Sequence, residues 1–266
     1  MQKWILKLDE GKFSEPNDRN AEIEIFPELL IQRTDQPIAL IIQSTYSGLL
    51  DNYLNINFLK ARGILVSTIE TVDEINEYVL GLVPSGGKVY VISNSVDKSD
   101  VSNPSTYEVI TTKFLNSLRT QGLPNQIIKL KVGTLIMLLR NLDQTGWFYN
   151  GTRLIVIKFV DHILEAKMMF GTHDRNVIYI LRITTSPSQS PWPFKLSRRK
   201  FMNISYAMTI NKSKDQSLDF VELYLPYYVF IRGQLYVEVS RLATPSSTST
   251  STVTGLSATA STSIGV

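Results

Sequence analysis

The spacing of apolar positions divides the chain into two textures. In the first, Gly63-Ile-Leu-Val-Ser67 is a short apolar run of the length of a buried strand. Thr71-Val-Asp-Glu74 then has capping-box spacing, and Val72, Ile75, Val79 and Leu80 recur at i, i+3, i+7 and i+8, one face of an amphipathic helix. After the turn Pro84-Ser-Gly-Gly87 a second strand is predicted from Lys88 to Ser93, and strand-helix-strand order argues for an α/β layer. Upstream, Asp9 to Asn20 reads as a loop and Ala39 to Leu59 as one or two helical stretches; downstream, Thr111 to Leu118 reads as a short helix.

The second texture starts after Pro124. Leu130 to Leu139, Thr152 to Val160, His162 to Phe170 and Asn176 to Thr184 are strand-like runs at roughly ten-residue spacing, a small all-β module. Beyond Pro193 the α/β texture returns. Tyr206, Met208 and Ile210 alternate as a strand that stops at Asn211-Lys212, and Val221 to Leu225 alternates again.

A chain of 266 residues can hold one large domain or two modest ones. No apolar run approaches the roughly 20 residues that span a bilayer, the start lacks a secretory signal, and a soluble protein is expected. Without cysteine there is no disulfide framework, thiolate metal site or cysteine nucleophile. His162 and His173 lack the spacing of a metal pair, so no metal site is expected. A net charge of +3 permits nucleic-acid binding without arguing for it. The stretch from Pro245 to Val266, nearly all Ser, Thr, Ala and Gly, is expected to be disordered.

One local pattern bears on chemistry. Ser213 is followed three positions later by Gln216, a second capping-box spacing, directly after the strand and Lys212. Free amides at a helix start, an ammonium and a hydroxyl together suit a phosphate. An ordinary capped helix with a solvated lysine has the same pattern. Gly86-Gly87-Lys88 is a decoy for a phosphate loop: Leu82 stands where the leading glycine should be and Val89 where the Ser or Thr should follow.

Larger blocks carry more. Ala207-Met-Thr-Ile-Asn-Lys-Ser213 with Gln216-Ser-Leu218, and Gly233-Gln-Leu-Tyr-Val-Glu-Val-Ser-Arg241, resemble the last two motifs of the PIF family of superfamily-one DNA helicases, in the version carried by Helitron transposons and their plant relatives. Leu130-Lys-Val-Gly-Thr-Leu-Ile-Met-Leu-Leu-Arg-Asn-Leu-Asp143, Asn150-Gly-Thr-Arg-Leu-Ile-Val156 and Val72-Asp-Glu-Ile-Asn-Glu-Tyr-Val-Leu80 are similar to the same family, in the same order.

The resemblance implies an α/β, RecA-like second motor domain that lacks the phosphate loop and is interrupted by a β-rich insertion, a small barrel of the Src-homology-three kind. Residues 1–60 would lead in, 61–125 and 196–244 would form the motor domain, 126–195 the insertion and 245–266 a tail. It also implies an arginine finger at Arg241, with Lys212, Ser213, Gln216 and Gln234 coupling ATP to DNA. Arg140, Asn141, Arg153, Arg198, Arg199 and Thr209 would meet DNA. Trp147, Phe148 and Tyr149, with Arg140 and Arg153, would offer single-stranded DNA a stacking and phosphate surface, unless the aromatics cover the barrel's own core. Arg198-Arg199-Lys200 reads equally as a solvated face or a backbone contact.

Several positions depart from the family. Lys214-Asp215 stand for Gln-Gly, and the Asp215 charge at a helix start opposes phosphate binding. Glu238, in place of alanine, could pair with Arg241 and hold it from nucleotide. Ile69 replaces a polar residue. The first motor domain, with its phosphate loop and magnesium carboxylates, is not encoded in this sequence, so the chain is expected to bind neither ATP nor Mg2+ alone and to need that domain as a partner. Single-stranded or forked DNA is the expected substrate, in replication, repair or recombination; a non-catalytic DNA-binding remnant of a transposon gene is the alternative. Nuclear, or by family mitochondrial, residence is expected.

Overall fold

The strand Arg62–Val66 is an inner strand of a four-stranded parallel sheet. The computed structural model describes residues 20–24, 35–91, 93–96, 111–117, 127–139, 141–142, 148–160, 163–169, 177–181, 183–185, 196–200, 202–213, 216–226, 251–255 and 259–263. In chain order the elements are β1 (Asn20–Glu24), α1 (Pro37–Thr45), α2 (Leu49–Asn52), α3 (Ile56–Lys60), β2 (Arg62–Val66), α4 (Ile69–Leu82), β3 (Gly87–Val91), β4 (Ser93–Val96) and α5 (Thr112–Ser117). Then come β5 (Ile127–Lys131), β6 (Leu135–Met137), β7 (Arg153–Val160), β8 (Ile163–Met168), β9 (Val177–Leu181), β10 (Ile183–Thr185), β11 (Leu196–Lys200) and β12 (Asn203–Ile204). The last are β13 (Ala207–Thr209), α6 (Ile210–Ser213), β14 (Phe220–Leu225), β15 (Ser251–Gly255) and β16 (Thr259–Ser263).

Among the described residues β13, β2, β14 and β15 form a parallel sheet in that order. Its central strand is apolar throughout from Gly63 to Val66, as befits a strand covered on both faces. Helices α1 and α4 pack on the Ile64 and Val66 face, where Ile41, Ile42, Ile75, Val79, Tyr206 and Tyr224 join one core. Each such fully buried aliphatic side chain contributes about 1.5–3 kcal/mol.

The second texture is an antiparallel sheet ordered β12-β6-β7-β8-β9, with its own core of Leu130, Ile136, Leu138, Leu154, Val156, Leu164 and Ile180. The first half of β7 is buried on both sides. Alternation turns Leu154 and Val156 into that core, and Ile155, like Leu135 of β6, into the core of the parallel sheet. The antiparallel sheet is therefore clamped to the parallel one by strands with two apolar faces.

Four expectations shift. The helix after β2 begins a turn earlier than Thr71-Val-Asp-Glu74 suggested: Thr68 is its N-cap, accepting from the Thr71 amide at 3.4 Å. The single strand expected over 130–139 is broken by Val132-Gly133, where Gly133 has φ +88 and any Cβ would sit 2.6 Å from the Tyr53 ring. The run 176–184 is likewise two strands, β9 and β10, in different sheets. The stretch 245–266, expected to be disordered, contributes β15 in parallel register with β14, and β16 paired antiparallel to β1. Its threonines suit a pleated backbone, and composition alone does not register the unpaired edge that β14 offers.

Candidate functional site

The site is built where β13 ends. In a parallel α/β sheet, ligands are met beyond the carboxyl ends of the strands, and β13 delivers Thr209, paired in register with Val66, to that edge. The chain then makes the single turn α6, and Lys212 emerges exposed.

Opposite stands the turn from Tyr149 to Thr152. The Thr152 amide donates to the Tyr149 carbonyl at 3.0 Å, and Gly151 has φ +94, so the Asn-Gly pair makes a turn that needs glycine. Asn141, beyond the end of β6, braces it: its Oδ1 accepts from the Asn150 amide at 2.7 Å, while the Gly151 amide donates to the Leu138 carbonyl at 2.9 Å. Two contacts join this turn to the β13 edge. Lys212 Nζ donates to Asn150 Oδ1 at 3.4 Å, and Gln216 Nε2 donates to the Gly151 carbonyl at 2.9 Å. Residues over sixty positions apart thus share one exposed surface, with Tyr149 40% exposed beside Asn150.

The expected capped helix is corrected here. Ser213 ends a helical turn instead of starting a helix; its buried Oγ donates to the Ile210 carbonyl at 2.7 Å, and residues 216–219 are not helical. A hydroxyl within hydrogen-bonding reach of the carbonyl three residues back finds its partner there before any cap can form. Ser213 and Gln216 therefore do not form an anion-binding helix start.

Arg153 is a second correction. Expected to face DNA, it is 0% exposed. Its guanidinium donates to the carbonyls of Arg62 at 2.8 Å, Lys60 at 3.3 Å, and Leu59 and Ser205 at 3.4 Å. On β7 it shares the face of Ile155, so the strand's alternation turns it inward. Burial pulls its pKa down, opposed by the Tyr46 and Tyr206 hydroxyls. Burial in turn pushes the Tyr46 phenol up to about 12, against the pull of Arg153 and Arg62, and raises Tyr206 as well.

Of the remaining expected residues, Arg198 and Arg199 lie on β11, between β10 and β4. Phe148 is half-buried against the core of the antiparallel sheet, which leaves Tyr149 as the exposed aromatic of that group within the described residues. Ile69 opens α4 and is 52% exposed. Arg140, Trp147, Lys214, Asp215, Gln234, Glu238 and Arg241 lie outside the described residues, as do His162 and His173. Sequence reasoning missed Asn76, buried in α4: its amide donates to the carbonyls of Ile204 and Ala207, both at 3.1 Å, and accepts from the Ala207 amide at 2.8 Å. The available signal was a polar residue on the apolar stripe, next to Ile75 and four before Leu80.

Fold and site together define an α/β protein whose parallel sheet carries a clamped antiparallel sheet and presents a lysine and an Asn-Gly turn at its carboxyl edge. Residues 113–159, which span α5 through most of β7, match the family described as DNA helicase Pif1, 2B domain. The chain is 33% identical over 146 residues to the ATP-dependent DNA helicase PIF1 of Xenopus laevis, covering 51% of this chain and 21% of that protein. It is 26% identical over 225 residues to the Danio rerio protein of the same name, covering 79% and 32%. Its fold is like that of the crystal structure of Pif1 helicase from Candida albicans, with a TM-score of 0.51 at 20% identity, covering 81% of this chain and 54% of that one. The chain is similar to Pif1 DNA helicases over part of its length, and it spans about a fifth to a third of the length of the curated relatives it matches.

Proposed function

We propose that this chain is the RecA-like second motor domain of a Pif1-like, ATP-dependent DNA helicase of the Helitron and plant type, with the β12-β6-β7-β8-β9 sheet as its Src-homology-three-like insertion. In this reading the surface formed by Asn141, Tyr149, Asn150, Lys212 and Gln216 holds single-stranded DNA. The observation that carries it is the meeting of Lys212 and Gln216 with the Asn150-Gly151 turn. An exposed ammonium suits a backbone phosphate, side-chain amides supply further donors, and an exposed phenol offers a face on which a base stacks. Thr209 at the end of β13, and Arg198 and Arg199 on β11, extend the contacts proposed for DNA. Arg241 would be the arginine finger of the whole enzyme and Gln234 its companion in coupling; nuclear residence goes with the same reading.

ATP and Mg2+ belong to the complete enzyme. The described residues do not fit them by themselves: the Ser213 hydroxyl is spent on Ile210, and among the described residues no three His, Asp or Glu side chains gather to hold a metal ion. Forked DNA, a first motor domain and the steps of unwinding are accordingly assigned to the whole protein.

Fluorescence anisotropy with a labelled oligonucleotide tests the DNA surface. Binding is expected to weaken with salt, and Lys212→Ala to lower the slope of log K against log salt by about 0.7, the share of one single-strand phosphate. An unchanged slope and affinity in that variant would remove Lys212 from the DNA surface.

A further inference from the structure

Arg153 has no part in the surface just described, yet it sits three residues from Asn150 in the strand that leaves the turn. Its side chain crosses from the antiparallel sheet to the parallel one. Three of its acceptors, Leu59, Lys60 and Arg62, belong to the link from α3 into β2, and the fourth, Ser205, immediately precedes Tyr206 and β13. The same junction is tied from the other side: Tyr46 donates its hydroxyl to the Tyr206 carbonyl at 2.8 Å, and Tyr206 donates its own to the Gly133 carbonyl at 3.2 Å. The rings of Tyr46 and Tyr206 meet edge to face with centroids 5.6 Å apart.

A buried guanidinium costs several kcal/mol to desolvate, and a carboxylate partner is the usual compensation. Here its fork donates to four main-chain carbonyls, and they come from the two segments that lead into β2 and β13. Carbonyls report backbone position, so a planar fork held by several of them fixes one strand relative to two others, which an ammonium on a flexible stem does not.

We infer that Arg153 is the positioning residue of the Asn150 and Lys212 surface: its guanidinium locks β7, and with it the Asn150-Gly151 turn, in register with the β13 edge that carries Lys212. The inference rests on the reading of that surface as a DNA site, and its test separates the two. Arg153 touches no phosphate. It acts by keeping the two halves of the surface at one distance.

The experiment uses the full chain with Arg153→Lys and Arg153→Met, labelled single-stranded DNA, and a pair of spin labels. Because the chain has no cysteine, Tyr149→Cys and Asn211→Cys accept the labels specifically. Both variants are expected to bind DNA about tenfold more weakly, the scale of a lost hydrogen bond to a charged group. The salt slope should stay at the wild-type value, and the distance distribution between the labels should broaden while unfolding remains cooperative. A folded variant with wild-type affinity and an unbroadened distribution overturns the inference, and so does a salt slope lowered as in Lys212→Ala, which would make Arg153 a phosphate contact. If Lys212→Ala and Asn150→Ala leave binding untouched, the DNA reading fails, and the label distances still decide the positioning role. Should the Arg153 variants not fold, hydrogen exchange on the unaltered chain decides: the amides of Gly151 and Thr152 are expected to open together with those of Ile64 and Ser205, and an independent, easier opening of the turn overturns the proposal.

Discussion

Single residues show where chemistry is easily misread from a sequence. Arg153 and Lys212 are both cations in blocks that resemble family motifs, yet one is sealed in carbonyls and the other stands in solvent. The difference is one of place: Arg153 lies on the inward face of β7, whereas Lys212 lies on the turn α6 beyond the end of β13. The tyrosines around Arg153 give the junction a measurable signature. Tyr46 in the folded chain keeps its proton to about pH 12, whereas an unfolded tyrosine loses it near pH 10. Its contribution is therefore complete below about pH 10 and is lost as pH rises toward 12, at about 1.4 kcal/mol per pH unit. Tyr206, also raised, adds in the same direction. Arg153, lowered by burial, works the opposite way. Urea unfolding followed from pH 8 to 11.5 should show stability falling above about pH 10. Tyr46→Phe should make that fall shallower by about one proton, at a cost of about 1 kcal/mol at neutral pH; an identical slope in the variant would mean that Tyr46 ionises freely.

Elements were legible where one periodicity ruled. The stripe Val72, Ile75, Val79 and Leu80 marks α4, and Gly63 to Val66 marks β2, because a helix face and a doubly covered strand each leave a repeating apolar pattern. Boundaries were less legible. Thr68 and Thr71 both qualify as caps, and the hydroxyl that faces the free amides is settled only when the strand before it is in place. Ser213 and Gln216 have capping-box spacing, but the chain is drawn back into β14 before a helix can form. Asn76 joins α4 to β12 and β13 through three hydrogen bonds, one with Ile204 and two with Ala207. Asn76→Ala strands the Ala207 amide without its acceptor and should cost about 2–4 kcal/mol. Chemical denaturation measures it; a loss under about 0.5 kcal/mol would show that α4 needs no such staple.

At the scale of the molecule, the chain spans only part of its Pif1 relatives, and on the function proposed above it would furnish one face of a motor. Supplied with ATP, magnesium and single-stranded DNA, it should release no phosphate above background, because transfer of a phosphoryl group needs donors from both walls of a cleft. Turnover by the purified chain, followed by a coupled phosphate assay, would refute this. The family, the α/β layer, the β-rich second texture and the cluster of blocks that later meet were all determined by the sequence, since apolar period and motif order are one-dimensional properties. Which cation faces solvent, which hydroxyl caps a helix, and that a turn at Asn150 lies against a lysine at 212 were decided only by tertiary structure. The physical reason is that burial and hydrogen-bond partners belong to pairs of segments far apart in the chain, and no local pattern contains the second member of the pair.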